Sequence, residues 1–278
     1  MNRREKSMKP SLNKLMITVL AVGGLAATGF ADDPKVNPWN GQAGDGKWAT
    51  AGNWNEGVPA AGQRAVITGG NTVTVSSETP ATGSIVVGNG TAATLDMTGG
   101  KLTAETTHVS TYQGEYTATI NLSGGQLDAG VLMVSANGDG SQSGVVNVSG
   151  GTLTFKFAFV GTTANGQFII QGSKAEKLIG NNLQVGKTGE LKFVLDANGV
   201  QKLYLNSRLI PNAGAKLTVD ATAYKGNGPV TLVEAKGGNA DTKLDGQFEA
   251  GNIQIIGRKG EVKQDPDTGE VSLMLEAP

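Results

Sequence analysis

Five side chains in the middle of the chain are of the kinds that cleave sugar polymers: Asp96, Lys101, Glu105, Asp128 and Lys156. Such a site gathers carboxylates on one exposed strand face, or sets a calcium ion beside a lysine or arginine base. His108 is the only histidine, and as a general base it would need a partner to orient it. Asn137-Gly138-Asp139-Gly140 is faintly similar to a calcium loop, but it lacks the repeated acids of one, so a plain turn is expected. No phosphate loop, nucleophile elbow or zinc spacing occurs. The absence of cysteine excludes thiol catalysis and disulfides.

The elements that must position these residues are written as a repeat. Met97-Thr98-Gly99-Gly100-Lys101-Leu102 returns as Leu122-Ser123-Gly124-Gly125-Gln126-Leu127 and as Val148-Ser149-Gly150-Gly151-Thr152-Leu153, at intervals of 25 and 26 residues. A period in that range marks a supersecondary unit that buries its apolar side against copies of itself. Three apolar columns align. The first is Val87, Val109, Val134, Val160 and Val185; the second is Met97, Leu122, Val148, Ile170 and Phe193; the third is Leu102, Leu127, Leu153 and Leu178. Three short strands per turn of 22–26 residues predict an all-β, single-stranded parallel β-helix of about five coils. Leu95-Asp96-Met97, Ile120-Asn121-Leu122 and Val146-Asn147-Val148 flank a polar centre with apolar residues, the period-two signature of a strand with one face inside. The glycine pairs fall where the second strand must turn into the third.

This register bears directly on the chemistry. Asp96 shares a column with Asn121, Asn147, Ile169 and Lys192, and Asp128 aligns with Thr103 and Thr154. Neighbouring coils lie about 4.8 Å apart, so cooperating acids must occupy adjacent rows, and none do. Solvated surface is the expected place for these charges and for His108, which holds the variable middle position of its strand. The outward column Val86, His108, Met133, Phe159, Gln184 carries a second expectation. Met133 and Phe159, with Ile169 on the next strand, form a stripe fit for self-association unless a loop or the C-terminal region covers it.

The ends differ from the repeats. Arg3, Arg4, Lys6, Lys9 and Lys14 precede an apolar run from Leu15 to Ala27, and Gly29-Phe30-Ala31 supplies small residues for cleavage. Residues 1–31 therefore read as a secretory signal peptide cleaved after Ala31, with a retained anchor as the competing reading. The leader takes five of the 23 basic residues and one of the 24 acidic ones, leaving 18 and 23 and a net charge of −5. An acidic chain without a basic cluster argues against nucleic acid and anionic membrane as partners, and no later stretch is long and apolar enough for a membrane span. Residues 32–80 are expected to form an N-terminal cap and a leading partial coil, 81–199 the repeats, and 200–278 a C-terminal β cap or small β domain. Trp39, Trp48 and Trp54 are expected to cover the open end of the core, with sugar stacking as their other conceivable role.

Trp48-Ala49-Thr50-Ala51-Gly52-Asn53-Trp54-Asn55, Gly57-Val58-Pro59 and Ala65-Val66-Ile67, followed by the Ser-Gly-Gly coils, resemble secreted bacterial repeat proteins of the exosortase-sorted (PEP-CTERM) and autotransporter-passenger type. Leu217-Thr218-Val219-Asp220 and the Gly269-Glu270-Val271-Ser272-Leu273 ending fit the same group. The resemblance implies a parallel β-helix with an extracellular or surface role. It departs from that group at residues 272–278, which carry neither the Pro-Glu-Pro sorting tail nor an apolar segment with basic residues. The expectation is a secreted or cell-surface structural or adhesive protein without catalytic activity, cofactor or metal. Its partners would be glycans, other surface proteins or a second copy of the chain. The alternative is an extracellular carbohydrate-active protein, either a polysaccharide lyase or a glycan-binding module.

Overall fold

Alternating strands joined by repeated corners leave the chain one way to bury its apolar columns, which is to wind each coil onto the last. A computed structural model describes residues 34–237 and 243–276, and the predicted leader lies outside them. The described chain is all β, 57% strand, and forms a parallel β-solenoid.

Three faces run the length of the stack. The first comprises Lys35–Pro38, Gln63–Ile67, 84–89, 106–111, Val131–Val134, 157–160, 182–185 and Leu209–Pro211, each paired in parallel with the next. The second comprises Thr72–Val75, 93–97, 117–122, Ser143–Val148, Asn165–Gln171, Gly189–Val194, Lys216–Asp220 and Ile253–Ile256. The third runs from 101–103 through 126–128, 151–155, 175–180 and Leu203–Leu205 to Val230–Ala235. Antiparallel pairing of Glu270–Leu275 with Val230–Ala235, and of Gly260–Asp265 with Glu270–Leu275, then changes the strand direction.

The solenoid has about seven turns rather than five. The additional coils lack the Ser-Gly-Gly phrase and carry long corner insertions; Leu217 pairs with Ile253 across 36 residues. In-and-out alternation alone is enough to stack them, because each still buries one apolar side.

The predicted columns are physical columns. Val87, Val109, Val134, Val160 and Val185 pair successively and are fully buried. So do Met97, Leu122, Val148, Ile170 and Phe193, and Leu102, Leu127, Leu153 and Leu178. At the corner between the second and third faces, Gly100, Gly125 and Gly151 have φ of 67°, 76° and 68°. That is the left-handed region, where glycine alone lacks the steric cost of a Cβ.

The tryptophans close the first coils. Trp48 is fully buried between its neighbours, with Trp54 at 4.8 Å between ring centroids and Trp39 a further 5.0 Å from Trp54, both edge-on. Trp54 Nε1 donates to the Trp48 carbonyl at 2.8 Å. Their ring faces are taken up by protein, so the sugar-stacking role does not fit them.

Candidate functional site

The five candidate charges divide between two places. Asp96 stands on the second face, where Asn121 Nδ2 donates to its Oδ1 at 2.8 Å from the next coil. Lys101, Glu105, Asp128 and Lys156 gather near the corner between the third and first faces; Glu105, Asp128 and Lys156 line a cleft of about 690 Å³ there. Asp128 is saturated. Thr154 Oγ1 donates to it, Gln126 Nε2 does so at 3.0 Å, and Lys101 Nζ lies 3.4 Å away. Burial alone would raise its pKa, but the bonds from Thr154, Gln126 and Lys101 together outweigh that and hold it below the ordinary carboxylate value. A carboxylate held ionised by four neighbouring side chains, with Thr103 Oγ1 the fourth at 3.4 Å, is the opposite of a general acid, which needs its proton at neutral pH. Among the described residues no three His, Asp or Glu side chains come together as metal ligands. No helix there is long and apolar enough to cross a membrane. Asp139 takes the backbone N–H and Oγ of Ser141, at 3.1 and 2.7 Å, in a turn.

The first face is chemically unlike the other two. One outward column reads Val66, Val86, His108, Met133, Phe159 and Gln184. The parallel one reads Val36, Arg64, Ser84, Thr106, Val131 and Phe157. No carboxylate stands in either, and Arg64 and His108 are their only titratable groups. Val36 and Phe157 are exposed. Ile169 belongs to the second face, between Asn147 and Lys192, so Met133, Phe159 and Ile169 are divided by a corner. Met133 is partly covered by Asn137, whose Nδ2 lies 3.6 Å from its Sδ.

Two longer corners overhang this face. Segments 110–116 and 135–142 rise beside the strands and, with Asn89, wall a groove of about 580 Å³ floored by Val66, Val86 and His108, with Arg64 and Val36 at its edge. The walls are braced. Tyr116 Oη donates to the Thr111 carbonyl and accepts the Gly90 N–H at 3.2 Å, tying two successive corners together. Gln142, buried, donates from Nε2 to the Asn137 carbonyl at 2.8 Å. Tyr112, on the rim, is 70% exposed with φ of 70°.

His108 departs from the sequence expectation of open surface. Its side chain faces outward but is half-buried at the groove floor. Its pKa is lowered first by burial, because a charged imidazole loses hydration there, and then by the nearby Arg64 charge. The sequence signal was the column itself: a histidine flanked by valine and methionine in the neighbouring coils. The overhanging loops that bury it, 110–116 and 135–142, left no signal beyond the coil length. Comparison with protein-family models, curated proteins and solved structures finds no match for this chain.

Proposed function

We propose that the chain is a secreted or cell-surface structural and adhesive repeat protein that has no catalytic activity of its own and works through the outward side of its first face. The observation that carries this reading is the contrast among faces. The second and third present Asp96, Asn121, Lys101 and Asp128 to solvent, whereas the first presents one largely apolar column, a second that is half apolar, no carboxylate in either, and a groove beside them. Exposed apolar surface rimmed by polar groups is the usual mark of a contact site. The carbohydrate-cleaving alternative finds its best residues around Asp128, and there the acid is already engaged by protein donors.

The test uses chain purified after secretion, incubated with a panel of polysaccharides with and without calcium. Retention on a polysaccharide or cell surface without release of new chain ends supports the adhesive reading. Product formation that vanishes in Asp96→Asn or Asp128→Asn overturns it. The mass of the secreted chain tests the leader, with an N-terminus at Asp32 as the expected outcome.

A further inference from the structure

We propose that the groove on the first face binds an acidic glycan, with a sugar ring stacked on Tyr112 and a sugar carboxylate held at Arg64. This rests on the adhesive reading and names the partner of that surface.

Three independent observations point to such a ligand. Tyr112 is a bulky aromatic residue held at a positive φ with its ring in solvent. An aromatic side chain at such an angle is a genuine outlier, and strain of this kind collects at ligand clamps. The angle belongs to the corner, since Gly90 at the matching place one coil earlier has φ of 75° and the Tyr112 carbonyl accepts from Tyr116 Oη at 3.2 Å, but here that corner carries an aromatic ring in place of glycine. An exposed ring face is what the C–H side of a pyranose packs against.

Arg64 is the second observation. Among the described residues it has no carboxylate within ion-pair distance and donates no hydrogen bond. The one acid on the groove wall, Asp139, accepts both Ser141 bonds at Oδ1 and is held ionised by them, so a bound carboxylate must sit at Arg64 and not beside the 137–139 turn. A guanidinium beside an apolar floor offers a planar pair of donors to a carboxylate.

The third is the set of amides. Asn89, Gln113 and Asn137 line the same groove, and a side-chain amide can donate to one sugar hydroxyl while accepting from its neighbour. Val66 and Val86 beneath them supply the apolar floor that ligand sites of this volume commonly have.

The experiment is calorimetric titration of the purified chain with a short oligogalacturonate and with its methyl ester, which has the same shape without the charge. The acid is expected to bind and the ester to bind about tenfold more weakly. Arg64→Gln is expected to lower the acid's affinity about tenfold and to erase the preference over the ester. Tyr112→Gly keeps the left-handed loop residue in a type that tolerates it, and is expected to abolish binding of both while leaving the unfolding midpoint in place. Equal binding of acid and ester, undiminished binding by either variant, or no binding to the wild type overturns the assignment. Cleavage of the oligomer during titration would instead overturn the non-catalytic reading; the groove assignment would still stand or fall on the two variants.

Discussion

A Cβ on Gly125 would lie 2.5 Å from the carbonyl oxygen of Gly100 in the preceding coil. Gly151 stands in the same relation to Gly125, again at 2.5 Å. The corner glycines are therefore required twice over, by their left-handed φ and by the closeness of stacked backbones.

That double requirement can be separated by substitution. Gly90 has φ of 75° with open space around its Cβ position, so Gly90→Ala meets only the left-handed penalty of about 1–2 kcal/mol. Gly125→Ala meets that and a backbone clash, adding about 1–3 kcal/mol of overpacking. Urea unfolding of the two variants checks the order. Equal losses would mean that the coils are not stacked this closely.

Thr107 sits in an inward column between Ile85 and Leu132, fully buried, with a hydroxyl that has no partner. Thr107→Val keeps the shape and removes an unpaired polar group whose burial costs roughly 1–3 kcal/mol. The variant is expected to be more stable than the wild type by about 1 kcal/mol. Denaturant titration measures this, and a loss of stability would place a partner on that hydroxyl.

His108 and Asp128 act on the acid side of the stability profile in two separate ranges. The folded pKa of His108 lies below its ordinary value of 6.5, so the unfolded chain binds that proton more tightly; stability is full above 6.5 and is lost as pH falls through the lowered value. For Asp128 the folded pKa lies below 3.8, so its contribution is present above 3.8 and is lost as pH falls through its own lowered value. His108→Gln is expected to flatten the upper step, whereas Asp128→Asn only reduces the lower one, which Asp45, Asp139, Asp196, Asp220, Glu234 and Asp265 share. Unfolding midpoints followed from neutral to acid pH would show it, and an unchanged upper step in His108→Gln would refute the histidine assignment.

Tyr116 links the corner at Gly90 to the corner at Thr111 through one hydroxyl. Tyr116→Phe keeps the ring against the core and loses only that link, at a cost of about 1 kcal/mol. Amide exchange is expected to quicken at 88–91 and 110–116 and to stay unchanged in the strands. Faster exchange throughout the solenoid would mean that Tyr116 supports the core instead.

The sequence alone determined which residues share a column. Leu102, Leu127, Leu153 and Leu178 were assignable because strand alternation and a glycine corner at constant spacing admit one register, and a slip of one residue would turn every leucine to solvent. It likewise showed that Asp96 and Asp128 have no acidic neighbours in their own columns. The tertiary structure decided the rest. The coils around Gln63–Ile67 and Lys216–Asp220 stack without the glycine phrase, since burial of one strand side needs no fixed spacing. The groove exists because corners from different coils, 110–116 and 135–142, rise over the same strands. That overhang half-buries His108 and turns an outward column into a floor. Local pattern sets which way a side chain points, whereas what lies above it depends on corners some 25 residues apart in sequence that come together only after the coils have stacked.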